Sequence, residues 1–424
     1  MPRGTARRHG VKTTFEGGKH LLRAAVATRY AVSMATLDLE LPETDLYTEE
    51  ESAPAPVCFS LGIMAWNEEK TIPAALASLF QQSVFGMLAA RGERAEIVVI
   101  PNGCTDATAT VAEEALEYFR HSHPHADAFV ARVCEIEQPG RHNAWNRFVH
   151  EYSAREARFI FLMDADILFC GQDTLRNMVW AIEREREAMV VTDRAVKEIE
   201  SKPRKTWRDR LSLATSAMNR TNSACFTGQL YGMRSEVARN LYLPRDAGAP
   251  DDGFFKQVIC TDFLTRPVNP RRIVTAPEAA HVFEAYTSIG EVLRNQRRQM
   301  MGQTTVHVLI EYLKTRPHAE RVNLAATLRR EDTRDPAWLR RLLGRHVAQA
   351  TFFWQLFPGI LTFRLKRCWA LGGWKRFTYL PAALAATGVT VITCFQAHRA
   401  LRKGNTHYWP KPSRGALLNK QAAG

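Results

Sequence analysis

The sequence predicts an α/β protein: a doubly wound, mostly parallel sheet of Rossmann-like winding, followed by a helical, membrane-associated C-terminal segment. Three observations lead there. From Val57 onward, short apolar runs alternate with stretches of helical spacing, the signature of a sheet covered on both faces. Polar loops follow three of those runs: AWNEEK, PNGCTD and DAD. Near the C-terminus, Phe377 to Ala397 runs for 21 residues without a formal charge, long enough to span a bilayer.

Taken in order, VCFSLGI (57–63) reads as a first strand and TIPAALASLFQQ (71–82) as a helix. EIVVI (96–100) is a second buried strand, and Thr105 is a candidate N-cap for DATATVAEEALEYF, where Val111, Ala115, Leu116 and Phe119 share one face. DAFVARVCEI (127–136) is a third strand and HNAWNRFVHEY (142–152) a helix. RFIFLM (158–163), almost wholly apolar, is a fourth strand. DTLRNMVWAIERERE (173–187) follows as a helix, and residues 318–350 are charged and helical in spacing. Ligands of such sheets sit beyond the carboxyl ends of the strands, so the three polar loops are expected to share one crevice. The expected organisation is a basic, loosely ordered segment 1–55, a catalytic domain 56–315 and a helical region 316–424 with its membrane segment at 377–397.

The net charge of +13 across 424 residues points to anionic partners. It is dispersed, and neither a zinc-finger spacing nor a basic-aromatic RNA-binding tract occurs, so nucleic acid is not an expected partner. The eight cysteines stand singly, without a C-x-x-C pair, which reads as reduced thiols in a cytosolic domain. MPRGTARRHG is Arg-rich and acid-poor but has no apolar core or cleavage site. It is a transit peptide, a basic tail or a start set too early. Around 377–397, Lys375, Arg376, Arg399, Arg402 and Lys403 flank both ends, so charge gives no orientation. Insertion is expected, with a buried core helix as the bland alternative. The aromatic, basic stretch before it reads as interfacial.

Asp164 and Asp166 stand where the fourth strand ends. Carboxylates there are costly unless paired, and a divalent cation is the usual partner; a turn or N-cap pair is the plainer reading. Asp106 in the first turn of its helix is favourable on electrostatic grounds alone. Arg141 is a candidate partner for a phosphate or carboxylate, and Asn146 orients a ligand or caps a turn. Asp251 and Asp252 are either acid–base candidates or the N-cap of a helix. His281 is a possible metal ligand, but a lone His is more often a packed core residue.

The order of these pieces resembles family 2 glycosyltransferases with the GT-A fold, from about Val57 to Gly302. FSLGIMAWNEE, VVIPNGCTDATA, PGRHNAWN, FLMDADIL, FTGQLYGMRSEV and APDDGFF match that family's motifs in its order. Arg141 stands where its Lys would be, and Asp251 where its Glu would be. The resemblance implies an inverting, metal-assisted transfer from a nucleotide-diphosphate sugar, UDP-linked; the basic surface and the C-terminal apolar segment add the expectation of a lipid, lipid-linked or glycan acceptor at the cytoplasmic face of a membrane. The resemblance also implies Mg²⁺ or Mn²⁺ on Asp166 and Asp164, with Asp164 also toward the ribose. Glu68, Asn102 and Asp106 would receive uracil and ribose, and Arg141 and Asn146 the rest of the donor. Asp252 would be the base, with Gly228, Asp251 and Gln296 on the acceptor side. Processive members carry Gln-x-x-Arg-Trp; here Gln296 is present, but Gln299 and Met300 replace Arg and Trp, which predicts a non-processive enzyme. The other readings are a processive synthase-like enzyme, a nucleotidyltransferase, which would need a Gly-rich basic loop that AWNEEK lacks, and a membrane-anchored binding module without activity.

Overall fold

The computed structural model describes residues 55–200, 204–206, 209, 226–245, 251–284, 288–357, 359–371 and 373–404. The basic segment at the N-terminus, Cys225 and the Pro before Asp251 lie outside the described residues. Among the described residues, eight strands form one sheet: β1 (Val57–Ala65), β2 (Arg94–Pro101), β3 (Phe129–Val133), β4 (Phe159–Asp164), β5 (Leu168–Phe169), β6 (Val190–Lys197), β7 (Leu230–Arg234) and β8 (Ile273–Phe283). Their order is β3-β2-β1-β4-β7-β6-β8-β5. β1 runs parallel to β2 and β4, β2 to β3, and β6 to β8. β7 runs antiparallel to β4 and β6, a reversal of direction in mid-sheet that the strand run does not announce.

The apolar runs are continuous because both faces are covered. Phe159, Phe161 and Met163 belong to one core, Ile160 and Leu162 to the other, as the two-residue period of a strand requires. The first core lies under α1 (Ile72–Phe80), α2 (Val84–Arg91), α3 (Thr108–Ser122) and α5 (Thr174–Arg184). The second lies under α4 (Arg141–Arg147), α6 (Ser235–Arg239), α7 (Asp251–Cys260) and α8 (Ile289–Lys314). After α4 the chain takes one π-helical turn, Phe148–Tyr152. Thr105 is not the cap expected of it: α3 begins at Thr108, whose N–H is taken by Asp106 at 3.1 Å.

Close strand packing needs small residues. A Cβ on Gly232 would stand 2.5 Å from the Phe161 ring, its partner across β4 and β7. Gly232→Ala is therefore expected to cost about 1–3 kcal/mol by overpacking. The check is a lower urea midpoint with an unchanged slope.

Beyond α8 come α9 (His318–Val322), α10 (Leu324–Arg334), α11 (Trp338–Gln349), α12 (Ile360–Ala370) and α13 (Lys375–Arg402). The core runs across the expected boundary at 315/316. Leu324, Leu328, Trp338 and Leu339 share a cluster with Trp145 and Phe255, and Pro54–Gly424 is one compact unit. α13 is the one described helix long and apolar enough to cross a membrane. It is not uniformly exposed. Cys394, Ala397 and Leu401 pack against Met300, Met301 and Val308 of α8 and Leu343 and Val347 of α11. Trp374 and Phe377 at its other end are 85% and 50% exposed.

Candidate active site

The loops after β1 and β2 are tied to each other before any ligand arrives. Asn67 sits in the left-handed region at φ 57°, where Asn is tolerated; its Oδ1 accepts the Thr105 N–H at 2.7 Å. Asp106 accepts the Thr108 hydroxyl at 2.5 Å and the Glu69 N–H at 3.3 Å. Glu68 donates its N–H to Thr108 Oγ1 at 2.8 Å and accepts the Thr71 hydroxyl at 2.5 Å. Gly103, at φ 60°, lies so close to Pro139 that a side chain would collide with it.

Two of the residues read as donor contacts have their amides engaged by backbone. Asn102 is buried; its Nδ2 donates to Ala65 O at 2.8 Å and its Oδ1 accepts the Gly140 N–H at 3.1 Å. Asn146 donates to Leu243 O at 2.8 Å and accepts the Leu243 N–H at 3.0 Å. These side chains hold loops in register. Asp106 is likewise engaged, by the Thr108 hydroxyl and the Glu69 N–H.

The site is organised by Arg141. Its guanidinium donates to Asp164 Oδ1 at 2.6 Å, to Gly228 O at 2.6 Å and to Asp251 Oδ2 at 3.3 Å. One side chain thus joins the start of α4, the end of β4, the turn before β7 and the start of α7. The guanidinium expected on a donor phosphate is bound to protein carboxylates. A fork of fixed geometry suits such a junction better than the single ammonium of Lys. Asp164 is held further by its N–H on Gln229 O at 2.8 Å.

Asp251 and Asp252 are adjacent but differ in environment. Burial pushes Asp251 up, but Arg141 and His142 outweigh it and hold the carboxyl below its usual range. Burial, with the Asp251 charge added, pushes Asp252 up to about 6. Neighbouring groups driven apart in this way are the mark of an acid–base assignment. Asp252 Oδ1 accepts the Gly253 N–H at 2.7 Å. A Cβ on Gly228 would stand 3.6 Å from Asp251 Oδ1 and 3.8 Å from Asp252 Cβ, so both acids flank the same turn. Arg298 on α8, two positions beyond Gln296, acts electrostatically on Asp252.

Asp164 is raised by burial, partly offset by Arg141, and Asp166 adds to the rise. A cation beside the two would relieve their repulsion. Arg141 occupies one Asp164 oxygen. Among the described residues no three His, Cys, Asp or Glu side chains are grouped to hold a metal by themselves. Two carboxylates fit an ion that completes its shell with phosphate oxygens and water.

His281 is a core residue. It is fully buried, with Nδ1 2.7 Å from Asp193 Oδ2 and Nε2 3.3 Å from Gln229 Oε1. Asp193 and Gln229 carried no signal in the sequence. A single acid in a strand and a Gln beside a Gly become informative only when β6, β7 and β8 are assembled. The seven described cysteines are all free thiols.

Three carboxylates, Asp164, Asp251 and Asp252, thus gather around Arg141 and Gly228 beyond the end of β4. The sequence model of Glycosyl transferase family 2 matches residues 60–241, from β1 to just past α6. Over those residues the chain carries a family 2 glycosyltransferase domain. The match ends before α7, so Asp251 and Asp252 lie outside it. Among solved structures, the chain is similar to S. aureus TarS 1–349, with 15% identity, a TM-score of 0.41, and coverage of 83% of this chain and 93% of that one. It is also similar to glucosyl-3-phosphoglycerate synthase from Mycobacterium tuberculosis in complex with Mn²⁺, UDP and phosphoglyceric acid, with 16% identity, a TM-score of 0.39, and coverage of 62% and 80%. Likeness at this level says nothing about donor, acceptor or metal. No curated protein sequence matches the chain.

Proposed function

We propose that the domain transfers a sugar from a nucleotide-diphosphate donor, UDP-linked, to an acceptor hydroxyl with inversion, and releases its product after one transfer. The observation that carries this reading is the Arg141 junction, which brings Asp164 of the DAD turn together with Asp251 and the turn beside Asp252. Asp252 is the general base. Its Oδ1 is occupied by the Gly253 N–H, so Oδ2 takes the acceptor proton. The acceptor oxygen bonds to the anomeric carbon, and the bond to the donor phosphate breaks with its electron pair on the diphosphate. A Mg²⁺ or Mn²⁺ held by Asp166 and Asp164 would supply Lewis-acid stabilisation of that leaving group. Glu68 and the 102–106 loop form the nucleoside side; Gly228 and Gln296 lie toward the acceptor.

Single transfer is supported by Met300. Where processive enzymes place an aromatic platform, this side chain is 8% exposed and packed with α13. We infer a lipid-linked or glycan acceptor at the cytoplasmic face of a membrane; contact with a membrane surface is supported by the exposed aromatics at the α12–α13 turn, Trp369 and Trp374, with Arg376 over the Trp369 ring. Because one face of α13 is packed into the protein, contact falls on its other face, which carries Leu384, Ile392 and Phe395.

The test is a titration of the full chain in detergent with UDP-, GDP- and dTDP-sugars, with and without Mn²⁺, repeated for Asp166→Ala. One nucleotide is expected to bind in a metal-dependent manner, with binding lost in the variant. Metal-independent binding that survives Asp166→Ala would reduce the two aspartates to a turn and overturn the mechanism. Binding without transfer or hydrolysis would make the chain a binding module.

A further inference from the structure

Where the end of α8 meets α10 and α11 there is a cavity of about 320 Å³, lined by Tyr312, Trp338, four arginines and two acids. The two rings lie 5.0 Å apart between centroids. Two of the arginines are compensated. Arg316 sits 4.3 Å over the Tyr312 ring and 3.8 Å from Glu331, and Arg341 pairs with Asp335. Arg334 and Arg345 also line the cavity, and neither makes an ion pair or hydrogen bond with any described residue. The cavity therefore holds two guanidinium charges without counter-charges beside an aromatic wall. It is separate from the transfer site. Arg298, which acts on Asp252, and Tyr312 are 14 residues apart on α8, about 20 Å along a helix axis.

We propose that this cavity is a second binding site, for a phosphomonoester carried on a sugar-sized ring. A dianion matches the two free guanidinia in charge, and planar forks bind phosphate oxygens in pairs. The ring of such a ligand fits against Tyr312 and Trp338, and the volume is at the small end for ligand pockets. A solvated basic face would need neither the concavity nor the paired rings. The same group can arrive on a soluble sugar phosphate or on a phospholipid headgroup.

Calorimetric titration of the full chain with glucose 6-phosphate tests this, with glucose as the neutral control and excess UDP and Mn²⁺ present to fill the transfer site. Saturable binding is expected for the phosphate and not for glucose. The double variant Arg334→Glu/Arg345→Glu, with both changes at exposed positions, is expected to weaken it roughly tenfold or more while leaving UDP-sugar affinity unchanged. Flotation with phosphatidylcholine vesicles, with and without phosphatidic acid, provides the second arm. Arginine-dependent capture by phosphatidic acid, without binding of the soluble phosphate, keeps the site and assigns its source to lipid. Phosphate binding that UDP displaces, or that the double variant retains, overturns the proposal, as does binding in neither arm by a protein that still binds UDP-sugar. If UDP-sugar binding also fails, the transferase reading falls separately.

Discussion

Asp252→Asn is expected to reduce turnover by about 10²–10⁴-fold, the usual contribution of a general base, with donor affinity unchanged. The amide keeps the size of the side chain and can still accept the Gly253 N–H, but it cannot take a proton from the acceptor. Because burial and Asp251 push the group up to about 6, kcat/KM of the wild type is expected to rise with pH below 6 and level off above it. A flat profile between pH 5 and pH 7, or a variant with near wild-type turnover, would assign the base elsewhere. The same shift bears on stability. The folded state holds this proton more tightly than an unfolded chain, whose Asp titrates near 4. The associated stability is complete below about pH 4 and is lost as pH rises through 6, by up to about 3 kcal/mol. Asp252→Asn should therefore melt above the wild type at pH 7 and close to it at pH 4. An inactive variant with a raised melting temperature would separate loss of chemistry from loss of fold.

Arg141→Met is expected to cost about 3–5 kcal/mol, the range for removing one partner from a buried ion pair. The change leaves Asp164 and Asp251 facing each other without a cation, and it orphans the Gly228 carbonyl. Urea unfolding followed by far-UV circular dichroism measures it. Arg141→Lys should recover only part of the loss, because one ammonium cannot reach three acceptors in this arrangement. Adding Asp251→Asn to Arg141→Met should recover another part, since the repulsion it leaves is smaller. A loss below about 1 kcal/mol would mean that water replaces the guanidinium and that the junction is of surface character. Donor binding is expected to fall along with stability, because Asp164 loses its fixed position.

Much of the candidate site was legible because it was written in residue type and order. Asp164, Asp166, Asp251 and Asp252 carry their chemistry in their carboxylates wherever they sit, and the loops that hold them announce themselves as polar breaks after apolar runs. Arg141, Asn102, Asn146 and Asp106 stand out by the same reading, but their partners within the protein do not. An amide or guanidinium has equal capacity for ligand and backbone, and only the positions of Leu243, Gly140, Ala65 and Gly228 determine which it meets. The Asp193–His281 pair was hidden because its members are 88 residues apart.

The sequence by itself determined the alternating strands and helices, the two-faced core, the acidic turns at the strand ends and the apolar length of α13, all of which follow from local composition and period. Only the tertiary structure decided the antiparallel insertion of β7, the bond of Arg141 to two acids, the upward push on Asp252, and the packing of the end of α13 against α8. Each of these depends on contacts between distant segments. Burial and the charges that segments bring to one another are properties of the assembled chain, and no single stretch of it carries them.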